Sequence, residues 1–187
     1  NKNKFFFYLS HKITGEKIKS KINKLRIFLK KRKIDNLFVS APENVAWLLN
    51  LRGKDNPNSP IPNCRIILSN NDLFLFSCRK KIKKIKNNNI YNKIKFKKDD
   101  EFFSVLKTLK GKNFSIDKLT CSVFYESLIK SKFKILNCTD PCYELKAIKN
   151  SIEINNMKKS HIYDGVALTK FLFWIKNKKI NNLDELI

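Results

Sequence analysis

Asp140-Pro-Cys-Tyr-Glu-Leu-Lys-Ala-Ile-Lys-Asn-Ser-Ile-Glu-Ile-Asn-Asn-Met-Lys-Lys-Ser-His-Ile-Tyr-Asp-Gly-Val-Ala-Leu-Thr-Lys-Phe-Leu-Phe-Trp174 holds two helix starts in succession. Asp140 is followed by Pro141, whose missing N–H costs nothing in a first turn, so a helix is expected from there. Asn150 and Glu153 have the spacing of a capping box. Beyond them Ile154, Met157, His161, Gly165, Leu168, Leu172 and Ile175 share one stripe at helical spacing. The second helix is therefore expected to run to about Asn177 and to pack through that stripe.

The chain before this stretch reads as alternating helices and strands. Thr14 is a plausible N-cap with Glu16 in the first turn, and Ile18, Ile22, Leu25 and Leu29 give a helical face to about Lys33. Leu37 to Val39 is short and β-prone. Ser40 to Glu43 has a capping-box spacing, with Pro42 in the first turn of a short helix carrying Val45, Trp47, Leu48 and Leu49. Arg52 to Asn63 contains Gly53, Pro57, Pro60 and Pro62 and reads as a loop. Residues 64–68 and 73–76 flank a polar turn, as in a hairpin. Residues 80–98 suggest a short helix and a strand in a solvated segment. A helix over 99–109 with Gly111 as its stop, a strand at 114–117, a helix at 121–130 and a strand at 133–138 complete the series. The expected class is α/β with a mixed sheet and flanking helices.

Composition limits the function classes. The 187 residues carry 40 Lys and Arg against 16 Asp and Glu, a formal charge of +24. The arginines are only Arg26, Arg32, Arg52, Arg65 and Arg79, while Asn, Ile and Phe are inflated beside Lys, as AT-rich codons favour. A phosphate-reading surface would use more Arg forks, so no nucleic-acid partner is expected and the Lys should be spread over the surface. The five cysteines form no C-x-x-C pair and lie far from His11 and His161, which suggests buried thiols in a reduced, cytoplasmic setting without a metal. No apolar run approaches the roughly 20 residues of a membrane span. The chain starts with Asn1 and its only Met is Met157, so residue 1 is not expected to be a translation start.

Two blocks resemble aminopeptidase P, the Xaa-Pro aminopeptidase family of pita-bread metallopeptidases. One is Ser40-Ala-Pro-Glu-Asn-Val-Ala-Trp-Leu-Leu-Asn-Leu-Arg-Gly-Lys-Asp55 with Asn58-Ser-Pro60. It is similar to that family's acidic-x-x-Ala-Trp-Leu-x-Asn-x-Arg-Gly-x-Asp block. The other runs from Leu145 to Trp174 and includes Glu153, Met157, His161 and Asp164-Gly-Val-Ala-Leu168. The resemblance covers about residues 12–187. It implies a linker at 1–12 from a missing preceding domain, a creatinase/prolidase N-terminal-like α/β domain at 13–140, and at 141–187 the opening long helix of a truncated pita-bread catalytic domain.

It also implies a parent hydrolase that removes an N-terminal residue preceding proline. That chemistry would use two divalent metals, usually manganese, on Asp, His and Glu ligands that this sequence lacks. The parent's partners would be proline-containing peptides, the missing catalytic domain and a second copy in a homodimer. This chain is expected to have no catalytic and no metal-binding residues and to be inactive alone. The residues singled out for substrate or interface contact are Arg52, Trp47 and His161. Arg52 sits on a loop and can reach a carboxylate, or else brace the loop through a salt bridge. Trp47 can line a substrate mouth or be core. His161 lies one turn from Asp164, and a packed interface histidine is the simpler reading. Asp99, Asp100 and Glu101 fit the first turn of a helix without a metal. The alternative functions are a stand-alone creatinase-like binding module without catalysis and a basic nucleic-acid binder.

Overall fold

The computed structural model describes residues 5–178, which separate into two compact units, one ending at Ile148 and one starting at Lys149. In the first unit, β1 (Phe7–Tyr8) and α1 (His11–Thr14) precede α2 (Ile18–Lys31), β2 (Asn36–Val39), α3 (Pro42–Leu48) and β3 (Leu51–Arg52). The hairpin β4 (Arg65–Ser69) and β5 (Leu73–Phe76) leads into α4 (Arg79–Lys86) and β6 (Lys95–Lys97). A 3-10 turn at Asp99–Glu101 opens α5 (Phe102–Thr108), followed by β7 (Asn113–Ile116), α6 (Val123–Lys130), β8 (Lys134–Asn137) and α7 (Pro141–Ala147).

Six strands form one mixed sheet in the order β6-β5-β4-β2-β7-β8, and β1 pairs with β3 in a separate two-stranded ribbon. Strand β4 is antiparallel to both of its neighbours, whereas β2–β7, β7–β8 and β5–β6 are parallel. Within this six-stranded sheet all strands except β4 therefore point the same way.

The alternation of side chains along each strand divides the core in two. Leu37, Val39, Ile66, Leu68, Leu73 and Leu75 face the layer that contains Leu25 and Leu29 of α2, Val45 and Leu48 of α3, and Cys142 of α7. Phe38, Ile67, Phe74, Phe76, Phe114 and Ile116 face Phe102, Val105 and Leu106 of α5 and Ile129 of α6. The result is a helix–sheet–helix sandwich. The second layer is largely aromatic: the rings of Phe38, Phe76 and Tyr125 lie 5.2, 5.0 and 4.6 Å from that of Phe102. Burying each such side chain is worth about 1.5–3 kcal/mol.

Two helix starts differ from the sequence reading. Thr14 ends α1 rather than capping α2, because Gly15 takes a left-handed φ of 76° that stops the chain there. Helix α2 starts after Lys17 with no side-chain cap. Ser40 does not cap α3 either: Ala41 holds that position, and the Ser40 hydroxyl bonds Thr120 instead. The hairpin, the Asp140 cap with Pro141, and the Asn150–Glu153 capping box are all present. The first unit takes in Phe6, which is fully buried, and α7; the sequence reading assigned these to a linker and to the following domain.

The second unit contains α8 (Ser151–Asn177), a single helix without a buried residue. Its expected stripe includes Leu168 and Leu172, both exposed, as is the neighbouring Phe171. Among the described residues no helix is long and apolar enough to cross a membrane.

Candidate functional site

The carboxyl ends of β2 and β7 form the place where an open α/β sheet usually offers a binding crevice, because the chain leaves those two strands toward opposite faces. Helix α3 follows β2 onto one face and α6 follows β7 onto the other. In this protein the crevice is filled by the start of α7. The Asp140 N–H donates to Asp117 Oδ2 at 2.9 Å, and Asp140 Oδ1 accepts from Cys142 N at 2.9 Å, capping α7. Asp140 Oδ2 accepts from Asn44 Nδ2 at 2.7 Å, which ties α7 to α3. Lys146 donates to the other end of the same Asn44 amide, and the Tyr143 hydroxyl reaches Glu43 Oε1 at 2.8 Å. Ser40 and Thr120 hydroxyls meet at 2.7 Å across the strand ends. Burial dominates the Asp140 carboxyl and holds its pKa above the ordinary value, although the bonds from Cys142 and Asn44 act the other way.

A second polar core lies beneath Trp47 and Asn50. Lys21 is 1% exposed and replaces an apolar residue on the α2 stripe between Ile18 and Leu25. Its ammonium donates to the Trp47 carbonyl and to Asn50 Oδ1, each at 2.8 Å, and sits 4.3 Å from the Trp47 ring centre. Asn50 has a left-handed φ of 48° and donates from Nδ2 to the Glu16 carbonyl at 2.9 Å. Asn is among the few side chains that tolerate that conformation. Trp47 is thus half-buried and clamped against α2, with both its ring and its carbonyl engaged by one lysine.

Arg52 follows on β3. Its Nη1 donates to the Ala46 carbonyl at 3.0 Å and the Leu51 carbonyl at 2.8 Å, closing the end of α3. Partial burial lowers its pKa. The loop beyond is braced by other groups: Gly53 N donates to the Pro60 carbonyl at 3.0 Å, and Asp55 accepts from Asn63 N at 2.6 Å and pairs with Lys81. The brace the sequence reading gave to Arg52 through a carboxylate is made here by Asp55, and Arg52 grips carbonyls. The guanidinium's other edge has no recorded hydrogen bond among the described residues.

Arg52 and Trp47 therefore flank the same left-handed Asn50. His161 belongs to the second unit, at an exposed position of α8, and no ion pair with Asp164 is recorded among the described residues. Among the described residues no group of three or more His, Cys, Asp or Glu could hold a metal ion. The surface lysines are spread over α2, α5, α6, β8 and the loops, with one denser groove beside α4. Sequence reasoning missed Lys21, Asn44 and Asp117. Only Lys21 gave a signal, as a cation inside an otherwise apolar helical stripe.

Residues 1–153 match the model of the creatinase/prolidase N-terminal domain. The chain is 32% identical over 181 residues to Xaa-Pro aminopeptidase 1 of Dictyostelium discoideum, covering 96% of this chain and 28% of that protein. It is 33% identical over 176 residues to the Xaa-Pro aminopeptidase ApepP of Drosophila melanogaster, covering 88% and 28%. Among solved structures, the X-prolyl aminopeptidase of Caenorhabditis elegans, described as a cytosolic enzyme with a di-nuclear active site, superposes with a TM-score of 0.80 at 22% identity, covering 94% of this chain and 30% of that one. The chain thus spans under a third of the length of these relatives. With the matching model over most of its length and the same mixed-sheet sandwich, the chain belongs to the creatinase/prolidase N-terminal domain family.

Proposed function

We propose that this chain is the non-catalytic, creatinase-type portion of a cytoplasmic Xaa-Pro aminopeptidase, a metallopeptidase that removes an N-terminal residue preceding proline. In that reading a separate catalytic portion holds two divalent metals, manganese being the expected pair, and supplies a metal-activated nucleophile. No step of that reaction runs through a residue described above. This chain's share is to present a rigid loop and a fixed chain exit to the catalytic portion. His161 and the apolar residues of α8 would serve as contacts to that portion or to a second copy in a homodimer.

The observation that carries the reading is the clamp around Asn50. Lys21, Asn50 and Arg52 fix the segment from Trp47 to Arg52, and one edge of the Arg52 guanidinium is left for a carboxylate. The clamp turns a loop into a rigid wall, which is what positioning a peptide requires.

Arg52→Lys is the test, made in the longest protein that carries this chain. Lysine keeps the charge but loses the planar fork. KM for a Xaa-Pro peptide should rise by roughly tenfold, about 1.4 kcal/mol, with kcat little changed. A lowered Tm with unchanged KM would reduce Arg52 to a brace and remove it from the substrate side.

A further inference from the structure

Helix α4 carries six cations in eight residues, and they divide by face. Lys81 pairs with Asp55, and Lys84 lies over the Phe5 ring at 4.8 Å. Arg79, Lys80, Lys83 and Lys86 turn instead toward a groove of about 530 Å³ between α4 and β6. Lys97 and Lys98 line its opposite wall. Ile82 and Phe96 also line the groove; Ile82 is buried and Phe96 half-buried against the core.

A single carboxylate, Glu101, reaches this groove, and it is already committed. Its Oε1 accepts from Lys97 Nζ at 3.0 Å and its Oε2 from Lys98 N at 2.7 Å. Those bonds hold its pKa below the ordinary value. The ammonium and guanidinium groups of Arg79, Lys80, Lys83 and Lys86 have no recorded carboxylate partner among the described residues, while the charge of Lys98, like that of Lys97, acts on Glu101. These four cations, with Lys97 and Lys98 sharing one carboxylate across from them, repel one another and raise the local potential, which concentrates anions there.

We propose that this groove binds a small anion carrying closely spaced phosphate groups. Its volume lies within the few hundred to roughly one thousand Å³ of small-molecule pockets. Lysine dominates its walls; it binds phosphate as a mobile point charge, without the planar forks that fix a nucleic-acid backbone, and several such charges around one concavity suit a small, highly charged anion. A single-stranded nucleic acid would call for a longer basic track with several exposed aromatic platforms. This groove is bounded by a helix of eight residues and a strand of three, with one half-buried ring. The site is independent of the peptidase reading.

The probe is inorganic tripolyphosphate, titrated calorimetrically into the full chain without metal at two ionic strengths. One saturable site per chain is expected, weakening as salt rises. Lys83→Glu/Lys86→Glu should weaken it by roughly tenfold, whereas Lys30→Glu/Lys31→Glu on the last turn of α2 should leave it within about twofold. Arg79→Gln/Lys98→Gln, one from each wall, should also weaken it, and it serves as the readout if the first variant does not fold. Absence of saturation, or equal loss in the α2 variant, would overturn the proposal. So would a twenty-nucleotide oligothymidine that binds more tightly than tripolyphosphate and is insensitive to the α4 variant.

Discussion

Gly111→Ala should remove about 3–5 kcal/mol of stability, a large share of the roughly 5–15 kcal/mol typical of a domain. Gly111 has a φ of 100°, where a side chain is strained by about 1–3 kcal/mol. A Cβ there would stand 2.4 Å from both Cβ and Cγ of Asp35. Asp35 cannot simply retreat, because its Oδ2 accepts from Lys112 N and Asn113 N, each at 2.8 Å. Those two bonds fix the turn into β7, and each charge-assisted bond contributes about 1.5–3 kcal/mol. Urea denaturation should show a lower midpoint at unchanged slope. A midpoint at the wild-type value would mean that the turn relaxes freely and that Asp35 does not hold β7.

Asp140→Ala should cost about 2–4 kcal/mol, combining the loss of a helix cap with a buried Asn44 amide left without its acceptor. The pH dependence distinguishes this site from an ordinary surface carboxylate. Burial raises the Asp140 pKa above its ordinary 3.8 in the folded state. The folded protein therefore holds this proton more tightly than the unfolded chain does. The associated stability is fully present below that ordinary value and is lost as pH rises through the raised one. The penalty of Asp140→Ala should accordingly be larger in acid than at neutral pH. A penalty that grows toward neutral pH would show that hydrogen bonding to the carboxylate outweighs burial.

Most of the fold was legible because its signals are local. The hairpin of β4 and β5, the Pro141 helix start and the Asn150–Glu153 box each depend on residues within a few positions of one another. The errors arose where a local signal competed with a distant partner. Ser40 had a capping spacing, yet Thr120, eighty positions away, took its hydroxyl. Glu43 was drawn to Tyr143 for the same reason. The crevice lock could not be read at all, since Asp117, Asn44 and Asp140 converge only after the sheet has formed. Arg52 and Trp47 were picked out by motif, but their shared anchor, Lys21, comes from a helix about thirty residues earlier.

As the proposed non-catalytic portion of a Xaa-Pro aminopeptidase, the chain should not perform the peptidase chemistry by itself. The most direct measurement is hydrolysis of a Xaa-Pro peptide by the purified chain with excess Mn²⁺, with and without a chelator. No metal-dependent turnover is expected, because the described residues offer no cluster of ligands. Turnover that requires Mn²⁺ and disappears on chelation would contradict the account.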